Sequence, residues 1–71
     1  MKTNLRKYRF ERNDISQHEL AERVGVSRQT IVSIEKGNYN PSVKLAMLLA
    51  KELYTTVEQL FELEEGDRPE A

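Results

Sequence analysis

Residues 16–37 constrain the fold more than any other stretch of this chain. Ser16-Gln17-His18-Glu19 has the spacing of a helix start, a hydroxyl that can accept from the third amide with Glu at the capping-box position. Ser27 offers a second N-cap eleven residues later. Gly25 lies between them, the residue type that most easily takes the left-handed conformation ending a helix. Leu20, Ala21 and Val24 form an apolar stripe on the first of these helices. Ile31 and Ile34 form one on the second, with Val32 on a neighbouring face. Gly37 closes the pair. Two short helices are therefore predicted, joined by a turn of three or four residues and brought close by the small side chain of Ala21.

The flanks read as further helices. The N-terminal segment carries a loose apolar stripe of Leu5 and Tyr8, with the stem of Arg9 or else Phe10 as a further member, together with Lys2, Arg6, Lys7, Arg9 and Arg12; a helix is expected over residues 4–12, and Asn13-Asp14 breaks it. Ile15 is placed to staple the next helix start. Asn38-Tyr39-Asn40-Pro41 is turn chemistry, and Pro41 disfavours helix at Asn40. Ser42 caps a fourth helix whose apolar set is Val43, Leu45, Ala46, Leu49, Ala50 and Leu53. Thr56-Val57-Glu58-Gln59 is a second capping box, opening a short fifth helix that carries Leu60 and Phe61. The expected class is all-α with five helices. Lys2-Thr3 and Glu62-Leu63-Glu64 leave room for a very short two-stranded sheet.

Composition decides what such a chain cannot be. With no Cys, disulfides, thiol chemistry and Cys-based zinc sites are excluded, and His18 alone cannot build a His-rich metal site. No cofactor or metal is expected, and neither a nucleophile–base pairing nor a phosphate-binding glycine loop suggests an enzyme. A 71-residue chain with 38% apolar residues has a thin core, so help is expected from good helix packing or from a second subunit. No apolar run is long enough for a membrane span or a signal-peptide core, which points to an intracellular, cytoplasmic protein. The net charge of −1 hides an asymmetry. Residues 1–61 hold ten Lys and Arg against seven Asp and Glu, a balance of +3, whereas residues 62–71 balance at −4. We read residues 1–65 as one domain and residues 66–71 as an acidic, flexible tail.

Two helices at this spacing are the helix-turn-helix geometry, in which the second helix enters the DNA major groove. The run Ser16-Gln17-x-x-Leu20-Ala21-x-x-x-Gly25-Val26-Ser27-Arg28-Gln29-Thr30-Ile31-x-x-Ile34-Glu35-x-Gly37 closely resembles the Cro/C1 (Xre) helix-turn-helix regulators. So do Tyr39-Asn40-Pro41-Ser42-x-x-Leu45-Ala46 and Val57-Glu58-Gln59-Leu60-Phe61. The likeness covers residues 4–63 and is greatest to short stand-alone members of the cytolysin-repressor type, which lack a separate sensor domain. It implies a lambda-repressor-like domain and a repressor reading a palindromic operator in double-stranded DNA, with no small-molecule ligand evident. Two departures stand out. Tyr8 to Gln17 spans nine steps, one more than the family pattern, and Tyr54 stands where Gly commonly ends the fourth helix.

By position, the resemblance places Arg28, Gln29 and Ser33 at bases. The chemistry agrees independently, because Arg presents a fork to guanine O6/N7 and Gln matches adenine N6/N7. Thr30 suits a thymine methyl or a phosphate. Gln17, on the first turn of its helix, and Lys36, Asn38 and Asn40, just past the reading helix, are assigned to phosphates. The basic residues of the first helix read as a solvated face that adds to the field attracting DNA. Glu35 reads as structural, paired with one of them, and Tyr39 as a lid on its loop. A homodimer is expected through Tyr54, Val57, Leu60, Phe61 and Leu63, since these cannot all face one core; the alternative for one of Leu60 and Phe61 is that it plugs the monomer's core. The alternative function is a protein-interaction module of the same fold without DNA binding. It predicts an acidic or apolar reading helix, which Arg28-Gln29-Thr30 and Lys36 do not make.

Overall fold

The computed structural model describes residues 1–67 and Pro69. Strand β1 (Lys2–Thr3) leads into helices α1 (Leu5–Glu11), α2 (Gln17–Val24), α3 (Arg28–Glu35), α4 (Val43–Glu52) and α5 (Val57–Leu60). Strand β2 (Phe61–Glu62) and a 3-10 turn, Glu65–Asp67, follow. The two strands pair antiparallel, Lys2 opposite Glu62 and Thr3 opposite Phe61. No helix among the described residues is long and apolar enough to cross a membrane.

Local chemistry accounts for the helix ends. The hydroxyls of Ser16, Ser27, Ser42 and Thr56 accept from the amides of Glu19, Thr30, Leu45 and Gln59 at 3.0–3.2 Å. Each such cap contributes about 1 kcal/mol. The capping boxes form only on this side. Glu19 turns to Arg23 at 3.4 Å, and Gln59 accepts from the Thr55 hydroxyl at 2.6 Å. Gly25 ends α2 at φ 77°, where the amide of Val26 donates to Ala21 and that of Gly25 to Glu22. Asn38 and Gly37 close α3 in the same way on Ser33 and Ile34. These paired bonds satisfy carbonyls that the helix itself leaves free.

Both departures from the family pattern have a structural answer. The additional residue before Ser16 is absorbed in a double left-handed turn, Asn13 at φ 53° and Asp14 at φ 58°, two residue types that tolerate that region. Tyr54 closes α4 as a glycine would, at φ 53°, with Thr55 donating to Ala50 and Tyr54 to Lys51. Arg12 holds it there. Its guanidinium stacks 4.4 Å from the ring centroid, donates to the Tyr54 hydroxyl at 3.1 Å, and through Nε reaches the Glu52 carbonyl at 3.2 Å.

The core gathers Leu5, Leu20, Ile31, Ile34, Leu49 and Leu60, all less than 2% exposed. Leu60 is therefore not on the expected dimer surface; it takes the alternative place, docked by α5 fully into the monomer's core. Phe61 is not helical either. Its backbone is extended (φ −129°, ψ 130°) because it pairs with Thr3, and its half-buried side chain packs against the core beside Val57. Val43, the first residue of α4 and one of its expected apolar set, is instead 77% exposed, and with Met47 and Leu48 it forms an outward apolar face.

Asn4 ties the two ends together. Its amide donates to Leu60 O at 2.7 Å and its side chain to Gln59 O and the Glu62 carboxylate. The Met1 amine lies 2.8 Å from Asp67 and 3.1 Å from Glu64. The 3-10 turn thus crosses the expected boundary between residues 65 and 66, because Asp67 has a cation to pair with. Of the expected tail, Arg68, Glu70 and Ala71 lie outside the described residues.

Candidate nucleic-acid interface

Helix α3 divides its residues between core and solvent. At about 100° per residue, Arg28, Gln29, Val32, Ser33 and Lys36 share one arc, opposite the buried Ile31 and Ile34. Arg28, Gln29 and Lys36 are exposed and Ser33 is half-buried. Thr30 lies at the edge of this arc. It is half-buried, and its hydroxyl lies 3.1 Å from Ser27 Oγ, so that group is engaged in the cap. Val32, expected on a face neighbouring that of Ile31 and Ile34, lies in the middle of the outward arc. Its i+4 spacing from Arg28 was the signal available to find it.

A chain of side chains links three helices behind Arg28. Arg9 of α1 donates to Glu35 of α3 through Nε at 2.8 Å and Nη2 at 3.4 Å, and through Nη1 to the Ile15 carbonyl at 3.0 Å. Both side chains of this ion pair are at most 10% exposed. The Gln17 amide of α2 donates to Glu35 Oε1 at 3.1 Å, and its carbonyl oxygen accepts from Arg28 Nη2 at 3.2 Å. Glu35 is thus paired with a first-helix base, and Gln17 is turned both inward to Glu35 and outward to Arg28. The docking of α2 on α3 brings Gln17 and Arg28 together although they are eleven positions apart in sequence.

An open basin of about 470 Å³ lies beside this chain, lined by Arg6, Arg9, Gln17, His18, Arg28 and Glu35. His18 is exposed and pairs with Glu22 at 3.2 Å. Lys36, Asn38 and Asn40 follow on the exposed segment after α3, where the backbone of Asn38 is bonded to Ser33. Tyr39 is 46% exposed and lines a shallow cleft with Val24, Val26 and Leu45. Away from this face, Tyr54 and Leu63 are 78% and 76% exposed, while Val57 and Phe61 are half-buried. An outward arc of Arg, Gln, Ser and a small apolar side chain can donate to, accept from and pack on base edges. Flanking cations and amides can hold phosphates.

A helix-turn-helix family model matches residues 5–60. An uncharacterized HTH-type transcriptional regulator of Methanocaldococcus jannaschii is 46% identical over 67 residues, covering 94% of this chain and all of that protein. The uncharacterized HTH-type transcriptional regulator YgzD of Bacillus subtilis is 45% identical over 65 residues, covering 92% of this chain and 97% of its own length. Among solved structures, a chain of the SinR protein/SinI protein complex superposes with a TM-score of 0.73 at 29% identity. That match covers 92% of this chain and 63% of the other.

Proposed function

The chain belongs to the Cro/C1 (Xre) family of helix-turn-helix transcriptional regulators, and from that premise we propose that it is a sequence-specific repressor binding a palindromic operator in cytoplasmic double-stranded DNA. The observation that carries the reading is the outward arc of α3, with Arg28 held by Gln17 at 3.2 Å and so presented in a defined direction. Arg28 and Gln29 read adjacent base pairs. Ser33 and Val32 contact bases one turn further on, and Thr30 offers its methyl group at the edge. Gln17, Lys36, Asn38 and Asn40 hold the phosphates on either side. Repression requires only that the operator be occupied, which this unit is equipped to do.

A homodimer supplies the second half-site. One reading helix covers too few base pairs to single out an operator in a genome. With Leu60 committed to the monomer core, the two-fold surface consists of Tyr54, Val57, Phe61 and Leu63. Two reading helices about 34–36 Å apart imply half-sites about 10 bp apart.

Selection of bound sites from random duplexes, followed by titration of variants, tests the reading. Arg28→Ala loses about 1–3 kcal/mol on the selected site and relaxes preference at one base pair; Gln29→Ala does so at its neighbour. Lys36→Ala weakens all sequences about equally and reduces the salt slope by roughly one. Wild-type protein that selects no sequence, or Arg28 and Gln29 variants that bind like wild type, overturns the assignment and favours the protein-interaction alternative. For the dimer, sedimentation at micromolar concentration shows a two-fold species, which Leu63→Glu combined with Tyr54→Glu dissociates. A wild-type monomer binding single half-sites without cooperativity refutes it.

A further inference from the structure

We propose that Arg6, propped by Phe10, is a further backbone clamp that takes a phosphate of the bound duplex in the basin beside α3; this rests on the DNA-binding reading above. The first observation is that Arg6 is unused. Arg9, one turn further along α1, is consumed by Glu35 and Ile15. Among the described residues Arg6 makes neither a hydrogen bond nor an ion pair, yet it lines the same basin as Gln17 and Arg28.

The second observation is Phe10, a large apolar side chain left 48% exposed although it follows the buried Arg9. Two guanidiniums stack near its ring, Arg6 at 5.3 Å and Arg9 at 5.1 Å from the centroid. Stacking on a ring face limits the rotamers of an arginine while leaving its in-plane donors free. Phe10 therefore acts as a platform that holds the Arg6 guanidinium over the basin.

Charge names the ligand. Three guanidiniums line the basin against one carboxylate, and both oxygens of that carboxylate are occupied, by Arg9 and by Arg9 with Gln17. Arg6 and Arg28 are left with donors facing an uncompensated space. With Arg28 committed to its base, Arg6 keeps a full set of donors for the anion, and a tetrahedral phosphate accepts them bidentately. Because Arg28 is also the residue emerging on the reading arc, a phosphate held here belongs to the same duplex that α3 reads.

Salt-dependent binding of the full chain to its selected duplex provides the test. Loss of one phosphate contact removes about 0.9 from the slope of log K against log salt. Arg6→Ala then weakens selected and mismatched duplexes alike, by about eightfold at 0.1 M relative to 1 M salt, with base preference unchanged. Arg6→Lys retains the slope. Phe10→Leu retains it too but binds more weakly, because the cation is present without its platform. Lys7→Ala, on the same helix but outside the basin, leaves the slope as in wild type. Replacing single phosphates by methylphosphonate identifies one position that weakens wild type and leaves Arg6→Ala unaffected. An Arg6→Ala slope equal to wild type, or an equal loss for Lys7→Ala, overturns the clamp. Submillimolar binding of inorganic phosphate that requires Arg6, with the duplex slope unchanged, makes the basin a free-anion site and also overturns it. A wild-type chain that binds no duplex instead refutes the function reading and takes the clamp with it.

Discussion

Replacing Arg9 by Met removes the cation from a buried pair and leaves its partner behind. Glu35, with a side chain 8% exposed, then keeps only the Gln17 amide, and the Ile15 carbonyl loses its donor. Breaking a buried ion pair from one side costs about 3–5 kcal/mol, mostly the penalty of an uncompensated charge out of water. A 71-residue domain has roughly 4–11 kcal/mol to lose at 0.05–0.15 kcal/mol per residue. The variant therefore unfolds about 12 °C or more below wild type, at about 4–8 °C per kcal/mol. Glu35→Gln is milder, since Arg9 keeps its bond to Ile15. The double variant Arg9→Met/Glu35→Leu recovers to within about 1 kcal/mol of wild type, because apolar side chains of similar volume need no partner. Urea unfolding followed by circular dichroism, at two protein concentrations to separate folding from association, measures these three variants and Glu35→Leu alone. A loss below about 1 kcal/mol for Arg9→Met, or a double variant as poor as the sum of the singles, refutes the reasoning.

Leu60→Ala costs about 2–5 kcal/mol through the cavity it leaves, whereas Leu63→Ala changes monomer stability by less than about 0.5 kcal/mol and is felt in sedimentation. At Tyr54, Ala keeps the left-handed strain and loses the Arg12 stack, so urea unfolding ranks Tyr54→Ala below Tyr54→Gly, which takes φ 53° freely. The terminal clamp gives a pH window. Its hydrogen bond to Asp67, then that to Glu64, holds the Met1 amine above its ordinary 8.0, and the same amine, then the Glu64 backbone, holds the Asp67 carboxyl below its ordinary 3.8. Its contribution is fully present between these ordinary values. It is lost as pH falls through the depressed carboxyl value or rises through the raised amine value. NMR titration of the amine shows Asp67→Asn returning it toward 8.0; an unchanged midpoint rules the clamp out.

What the sequence determined by itself was the punctuation. Four hydroxyl caps and two glycines place the starts of four helices and the ends of two, because capping links residues three to five apart and needs no knowledge of the rest of the fold. The polar face of α3 and the pairing of Glu35 with a first-helix base were legible for related reasons, helical period and charge. Tertiary structure decided which apolar residues go inside. Leu60 and Leu63 look alike locally, but pairing of Phe61 with Thr3, across almost the whole chain, ends α5 and separates them. It also decided the assembly of Arg9, Glu35, Gln17 and Arg28, which lie on three helices, and the turning of Phe10 out beneath Arg6. These arrangements depend on how helices dock, and docking is set by the shape of the whole core rather than by any window of sequence.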